Sequence, residues 1–408
     1  MNLVVFYFCF FAIVLGKNGP AVILPEYTAN GVDYTTPGGN KANAFFGLPY
    51  AEPPIGELRH EKPVSLMESD RTIDATQFGP PCLVPLDVPD QSEDCLFINV
   101  FAPKEAPSGS GYHVLIFIHG GGYSYGNAKI YGIDEFVDSF VKQNIIVVTL
   151  QYRLHWFGFL TTFDDVLPGN VGLWDQNLAL KFIHQNIRHF GGDPNEMTLM
   201  GHSAGSSSVH AHSISPHSRN LIKQFVPLSG SLFGSWALEN PNQQKFQTIF
   251  HEKLGCFQKN SAEFKKCAKN VNSSLVLEIS KQLPSMAFDA AFLHFTPVLD
   301  QEFFDGKTID KLTEEAAPKP VLYGITGAEA MILTFSHPNL NTAIFADNYG
   351  IKKDEMSMTN AERIDYMKIS EKMEPGNTVF NRPVLLWRTM IEILGYKHNF
   401  ANGDQLYH

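Results

Sequence analysis

Apolar residues recur in short uninterrupted runs through the first half of the chain, and such runs predict strands that are buried on both faces. The clearest run covers residues 113–119 (HVLIFIH), and a second covers residues 144–151 (NIIVVTLQ). From residue 172 to 188 the apolar residues appear at helical spacing instead. This alternation of strand and helix patterns predicts an α/β protein with helices on both faces of a mostly parallel central sheet.

One strand pattern ends in a small-residue turn. Residues 197–200 (MTLM) form a short, mostly apolar strand pattern that leads into Gly201-His202-Ser203-Ala204-Gly205, which has the pattern G-x-S-x-G. In that pattern the serine occupies a sharp turn between strand and helix, and the flanking small residues let the two backbones pass closely. The pentapeptide alone fits an ordinary turn equally well. The strand before it and the helix pattern after it favour an exposed, nucleophilic Ser203 hydroxyl.

A run of three glycines, Gly120-Gly121-Gly122, follows the strand predicted at residues 113–119. Glycines leave backbone N–H groups uncovered by side chains, and uncovered N–H groups can hold a developing oxyanion. A flexible loop is the alternative interpretation. Phosphate binding fits less well, because no Lys-Ser or Lys-Thr follows at the spacing of a P-loop.

Composition and charge limit the classes of protein to consider. The chain has 408 residues, 44% of them hydrophobic and 18% charged, which is typical of a globular protein. A formal net charge of -11 argues against nucleic acid or an anionic membrane surface as a partner. Residues 3–15 are apolar but too short to span a bilayer, so we predict a signal peptide at residues 1–16 and a secreted chain from residue 17. A buried strand or a membrane anchor is the alternative for residues 3–15, and no later segment is long and apolar enough to span.

The cysteines left after signal removal are Cys82, Cys95, Cys256 and Cys267. An even number in an oxidising compartment predicts disulfides, and pairing Cys82 with Cys95 and Cys256 with Cys267 closes two short loops. Neither pair has the spacing of a zinc site with histidine, so no metal is expected. Asn272-Ser273-Ser274 is a candidate glycosylation site.

Several separate motifs, in order from about Pro25 onward, give the chain its resemblance to a known family: FFGLPYAEPPIGELR, EDCLFINVFAP, HGGGY, QYRLHWFGFL, GNVGLWDQNLALKFIHQNIRHFGGDP and GHSAG. With these segments the chain resembles the type-B carboxylesterases, the cholinesterase-like branch of the α/β-hydrolases. The resemblance implies one α/β-hydrolase domain over residues 17–408, hydrolysis of a small carboxylic ester, and no cofactor.

Residue by residue, the resemblance implies that Ser203 is the nucleophile and that the N–H groups of Gly121, Gly122 and Ala204 form the oxyanion hole. Glu329 resembles the acid of the catalytic triad, because it follows a predicted strand at residues 320–325 in the chain order serine, acid, histidine. A surface glutamate is the alternative for Glu329. The two cysteine pairs match the disulfide loops of the family, and the first loop contains no tryptophan, so choline esters are not the expected substrates.

The chain departs from the family at the triad histidine. The family has that histidine in a segment like H-G-D-E-L, and the matching residues begin with Asn402, whose amide is not basic. The interval from Glu329 is 402 − 329 = 73 residues, shorter than in relatives, so the domain is expected to be C-terminally shortened. His398 and His408 are weaker candidates for the base, and a loop histidine is the favoured interpretation of His398.

Three interpretations therefore follow from the sequence. The first is a secreted serine esterase. The second is a non-catalytic binding or adhesion protein on the same scaffold, like the neuroligin-type relatives, which loss of the histidine would fit. The third is a truncated chain. No protein partner can be named from the residues, and Arg59 is expected in a structural salt bridge with Glu52 or Glu93.

Overall fold

The computed structural model describes residues 19–234, 236–239, 243–256, 260–282 and 293–325. The strands in these ranges are β1 (Ala21–Ile23), β2 (Thr28–Asn30), β3 (Val32–Thr35), β4 (Lys41–Pro49), β5 (Thr72–Asp74), β6 (Phe97–Ala102), β7 (Tyr112–Ile118), β8 (Ile145–Leu150), β9 (Gly192–His202) and β10 (Gln224–Leu228). The α-helices are α1 (Asp134–Ser139), α2 (His155–Phe159), α3 (Val171–Asn186), α4 (Ala204–Ile214), α5 (Gln243–Lys253), α6 (Ser261–Asn270), α7 (Ser273–Gln282) and α8 (Ile309–Glu315). Short 3-10 helices occupy Gly56–Leu58, Val141–Gln143, Ile187–Phe190 and Arg219–Leu221.

Seven of the described strands form the central sheet, in the order β10-β9-β7-β8-β6-β4-β3. Neighbours from β10 to β8 are parallel, and neighbours from β8 to β3 are antiparallel. The described sheet is thus mixed. Its parallel strands, β7 to β10, are the ones that alternate with helices along the chain. The remaining strands, β1, β2 and β5, form a small separate sheet.

Both faces of the sheet are covered, as the apolar run in β7 predicts. Val114 and Ile116 belong to the larger of two hydrophobic clusters, while Leu115 and Phe117 belong to the smaller one. Successive side chains of a strand point to opposite faces, so the two clusters lie on opposite sides of β7. Helices α3 and α4 contribute to the larger cluster and α1 to the smaller, where Phe136 packs against Phe117 with ring centroids 5.4 Å apart.

The parallel strands end at one edge of the sheet. In the register of the sheet, Ile118 of β7 lies opposite Gly201 of β9, and Leu228 of β10 lies opposite His202. Loops that follow these strands therefore meet at this edge, which is where ligands bind in parallel α/β sheets. The fold thus brings the glycine run after β7 next to the serine turn after β9.

A strand predicted at residues 320–325 is present only as two isolated parallel bridges along β10. Phe225 pairs with Val321, and Leu228 pairs with Gly324. Backbone hydrogen bonds join the two segments at both bridges, including Leu322 N–H to Phe225 O and Ser229 N–H to Gly324 O. The chain therefore runs toward the same edge of the sheet as β10 when it reaches Gly324. None of the helices within the described ranges is long and apolar enough to cross a membrane.

Candidate active site

Ser203 occupies the turn between β9 and α4, and its backbone is in an unusual conformation. Its φ is 57° and its ψ is -120°, a region that residues with a side chain rarely occupy. Its N–H donates to the carbonyl oxygen of Leu228 at 2.8 Å, which ties the turn to the end of β10. The residue is half-buried, and its hydroxyl makes no hydrogen bond to any other residue that the structure describes.

The two glycines of the turn are required by close backbone approach. A methyl group at Gly201 would lie 2.3 Å from the carbonyl oxygen of Gly205, and one at Gly205 would lie 2.1 Å from that of Ile118. Both distances are far shorter than a carbon–oxygen contact permits. Because the obstacle in each case is backbone, no side-chain rearrangement can make room. These contacts agree with the close passage of strand and helix that the sequence predicts.

The glycine run after β7 folds against this turn. A methyl group on Gly120 would come within 3.0 Å of the Ser203 Cβ. Gly121 has a φ of 115°, and a methyl group there would meet the carbonyl oxygen of Tyr125 at 2.0 Å. Gly122 also has a positive φ, 58°. The run therefore follows a path that only glycine can take, directly beside the serine.

The backbone donors around Ser203 fall into two groups. The N–H of Gly120 donates to the Tyr131 hydroxyl at 3.1 Å. The N–H groups of Gly121, Gly122 and Ala204, in contrast, donate to no acceptor in the part of the chain that the structure describes. Uncovered backbone N–H groups beside a half-buried hydroxyl can hold the negative oxygen of a tetrahedral intermediate.

Two histidines near the turn have other contacts. His202 is exposed, with its Nδ1 3.4 Å from the Tyr131 hydroxyl. His210 is half-buried, its Nδ1 lies 3.1 Å from Ser231 Oγ, and burial lowers the pKa of His210 to about 4. In the described part of the chain, neither ring is hydrogen-bonded to Ser203.

Tyr131 and His119 are two side chains that contact the glycine run and that the sequence did not predict there. His119 immediately precedes the glycine run, and this adjacency is the feature of the sequence that could have indicated a contact with it. Its Nδ1 lies 2.9 Å from the carbonyl oxygen of Gly120. Tyr131 lies in an irregular loop with no motif around it, so no signal pointed to it.

The structure places the predicted cysteines in two disulfides, Cys82–Cys95 and Cys256–Cys267, which confirms both pairings. Asn272 is exposed at the start of α7. The predicted signal peptide at residues 1–16 lies outside the described residues, as do four candidate catalytic positions: Glu329, His398, Asn402 and His408.

Comparison with known proteins agrees with this fold. A model of the carboxylesterase family matches residues 20–383. Esterase cest-33 of Caenorhabditis elegans is 36% identical over 313 residues, which are 74% of this chain and 56% of that protein. Gut esterase 1 of Caenorhabditis elegans is 32% identical over 379 residues, 92% of this chain and 64% of that protein. Esterase FE4 of Myzus persicae is 33% identical over 396 residues, 91% and 69% respectively.

The chain belongs to the carboxylesterase family, and its fold is accordingly the α/β-hydrolase fold, as predicted. It spans between 56% and 69% of the length of the three relatives named above.

Proposed function

We propose that this chain is a carboxylic ester hydrolase with Ser203 as its nucleophile. The observation that carries the proposal is the half-buried Ser203 hydroxyl beside three uncovered N–H groups, those of Gly121, Gly122 and Ala204. A structural turn needs neither a strained serine nor a glycine run with open donors. A site that stabilises an oxyanion on an acyl group needs both.

In the proposed reaction, the Ser203 Oγ attacks the carbonyl carbon of the ester while a base takes the hydroxyl proton. The carbonyl oxygen becomes an oxyanion, which the three N–H groups stabilise. The C–O bond to the alcohol then breaks, the alcohol takes up a proton, and an acyl group remains on Ser203. Water attacks this acyl-enzyme in the same way and releases the acid.

Glu329 is proposed as the acid that orients the base. Two hydrogen bonds support its placement near the site: Ser203 N–H donates to Leu228 O, and Ser229 N–H donates to Gly324 O, both at 2.8 Å. The segment that ends at Gly324 thus reaches the turn that carries Ser203. Glu329 follows five residues later, so an extended chain confines it to within about 17 Å of Gly324.

The base is the weak point of the proposed triad. The motif match of the sequence assigns Asn402 to the position of the family's histidine, and an amide cannot accept the serine proton near neutral pH. Loss of the base in a serine triad lowers turnover by about 10⁴ to 10⁶, while the oxyanion hole retains roughly 10³ over water. We therefore propose slow ester hydrolysis by the wild-type chain.

The nucleophile is tested by labelling with a fluorophosphonate probe, with wild type and Ser203→Ala compared side by side. We expect slow labelling of wild type and none of Ser203→Ala over the same time. Label that persists in Ser203→Ala would exclude Ser203 as the nucleophile. A folded wild type that takes no label, and that Asn402→His does not make reactive, would favour a non-catalytic binding protein on this scaffold.

The base is tested by turnover of a short-chain nitrophenyl ester. Asn402→His is expected to raise the rate above wild type, and His398→Ala to leave it unchanged. Efficient wild-type turnover that depends on His398 would make His398 the base and overturn the assignment to position 402.

We also propose that the chain enters the secretory route, loses residues 1–16 and is glycosylated at Asn272. The two disulfides and the exposure of Asn272 support this route. Asn272 Oδ1 accepts the N–H of Ser274 at 2.8 Å, a backbone contact that Ser274→Ala preserves. Ser274→Ala should therefore abolish the mobility shift produced by an amidase that removes N-glycans, while Ser274→Thr retains it. A secreted wild type without that shift, or one that begins before residue 17, would contradict the proposal.

A further inference from the structure

The direction of each open N–H group beside Ser203 can be read from the carbonyl of the same peptide unit. A trans peptide is planar, and its C=O and N–H bonds point in opposite directions. The N–H of Gly121 therefore points away from whatever binds the Gly120 carbonyl. The same holds for Gly122 with the Gly121 carbonyl, and for Ala204 with the Ser203 carbonyl.

Backbone donors hold two of these three carbonyls. The Gly121 carbonyl accepts the N–H groups of Ser124 and Tyr125, both at 3.0 Å. The Ser203 carbonyl accepts the N–H of Ser207 at 3.0 Å, in the first turn of α4. These peptide units are fixed by the fold of the backbone and do not depend on any side chain.

The third carbonyl, that of Gly120, is held by the side chain of His119, whose Nδ1 lies 2.9 Å from the oxygen. A carbonyl oxygen only accepts hydrogen bonds, so Nδ1 must carry the proton. The ring is buried, and burial lowers the pKa of His119 to about 4, so the ring is neutral near pH 7. A neutral ring with Nδ1–H has a bare Nε2, and Nε2 indeed has no partner among the described residues.

The ring of His119 is itself held in place by Tyr152. The two rings stack with centroids 4.6 Å apart and planes 23° from parallel. The Tyr152 hydroxyl also donates to the carbonyl oxygen of His119 at 3.1 Å. The hydrogen-bond donor thus sits on a rigid support, whereas the peptide that it holds joins two glycines.

We propose that His119 is a positioning residue: its Nδ1–H holds the Gly120 carbonyl and thereby turns the Gly121 N–H toward the Ser203 hydroxyl. Because the 120–121 peptide joins two glycines, it can rotate without steric penalty from a Cβ when that hydrogen bond is lost. A rotated peptide would present its carbonyl oxygen to the oxyanion in place of an N–H. The inference rests on the proposed serine chemistry.

The catalytic test compares His119→Asn with His119→Leu. The Asn side chain places an amide N–H donor at nearly the position of Nδ1, and Leu has a similar size but no donor. Both the rate of fluorophosphonate labelling of Ser203 and kcat for a nitrophenyl ester should fall by about 10² to 10³ in His119→Leu, with KM nearly unchanged. His119→Asn should stay within about tenfold of wild type. Thermal unfolding of both variants shows that they are folded.

Two outcomes of this comparison would overturn the proposal. One is a His119→Leu variant that labels as fast as wild type. The other is a His119→Asn variant that loses as much as His119→Leu, since the ring itself, and not its N–H, would then matter.

A second measurement on the wild type is independent of activity. In ¹⁵N NMR of histidine-labelled protein, the signals missing from His119→Asn identify His119. The proposal expects Nδ1 to be protonated and Nε2 bare at neutral pH, and the opposite tautomer would overturn it. If the wild type neither labels nor hydrolyses esters while His119 shows Nδ1–H, the proposed function fails and the positioning of the peptide stands.

Discussion

Ser203 has a backbone conformation that costs energy in any residue with a side chain, about 1 to 3 kcal/mol. Glycine adopts this conformation without strain, although its greater conformational entropy favours the unfolded chain by roughly 0.5 to 1 kcal/mol. We therefore expect the free energy of unfolding of Ser203→Gly to be about 1 kcal/mol higher than that of Ser203→Ala. Neither variant has the hydroxyl, so urea denaturation of the two isolates the backbone strain.

Ala211→Gly in α4 is the control for this comparison, because its backbone is helical. Glycine should lower stability there, the opposite sign to the effect at Ser203. Equal stability of Ser203→Gly and Ser203→Ala would mean that the turn stores no strain.

His212 is a buried residue whose titration links stability to pH. Its Nδ1 lies 2.7 Å from Ser218 Oγ and its Nε2 lies 2.9 Å from Gln176 Oε1. Burial lowers the pKa of His212 to about 3, against about 6.5 in an unfolded chain. Between these two pH values the unfolded state binds more protons than the folded state. The contribution of the neutral His212 ring to the free energy of unfolding is therefore complete above about pH 6.5 and is lost as the pH falls toward 3.

Because of His212, the free energy of unfolding is expected to fall by about 2 kcal/mol between pH 7.5 and pH 5. His212→Gln cannot gain a proton, so the difference in unfolding free energy between these pH values should shrink by that amount. His189→Gln, at an exposed position, is the matched control and should leave the difference unchanged. A His212→Gln variant with the full wild-type dependence on pH would show that His212 does not titrate on unfolding.

At the scale of elements, each disulfide closes a short loop and stabilises the fold by about 3 kcal/mol in the loop-entropy model. The two bonds differ in access. Cys82 and Cys95 are both buried, whereas Cys267 is only half-buried beside its buried partner Cys256. A thiolate must reach a sulfur atom to reduce a disulfide.

We therefore expect dithiothreitol to reduce Cys256–Cys267 before Cys82–Cys95 in the native protein, as measured by timed alkylation and mass spectrometry. In urea, where the fold no longer protects either bond, the two rates should converge. Reduction of Cys82–Cys95 first, under native conditions, would contradict the order that burial implies.

At the scale of the whole molecule, Arg59 joins segments that are far apart in the chain. Its Nε donates to Glu93 Oε2 at 2.6 Å, and its Nη1 donates to the carbonyl oxygens of Ala268 and Lys269 at 3.4 and 3.1 Å. The guanidinium thus links the first disulfide loop to the end of α6. The ion pair with Glu93 is one of the two that the sequence predicted.

Arg59→Met is expected to lower the free energy of unfolding by about 3 kcal/mol, because Glu93, whose side chain is 13% exposed, would remain a half-buried charge without its partner. The double variant Arg59→Met, Glu93→Gln should lose less than Arg59→Met alone. Lys281→Met, which breaks the exposed pair with Asp87, is the control and should leave the urea midpoint nearly unchanged. A double variant no better than Arg59→Met would show that the carbonyl contacts, not the ion pair, carry the stability.

The length of β9 was underestimated from sequence. The mostly apolar pattern covers residues 197–200 alone, yet the strand covers Gly192–His202. Gly192 at its start lies opposite Tyr112 of β7, and the register then shifts, so that Met197 is the next residue paired, opposite Val114. The start of the strand is set by this pairing with a segment 80 residues earlier in the chain, which no local pattern records.

By itself, the sequence determined which segments are buried and where the unusual backbone lies. Apolar runs and helical spacing of apolar residues indicate directly which segments are buried. G-x-S-x-G and the glycine run indicate where two backbones approach closely, because only small residues tolerate such an approach. Only the tertiary structure decided the strand order, the contact of His119 with the Gly120 carbonyl, and the meeting of that loop with Ser203. These depend on which distant segments pair and on the direction of single peptide units, neither of which has a local pattern of side chains.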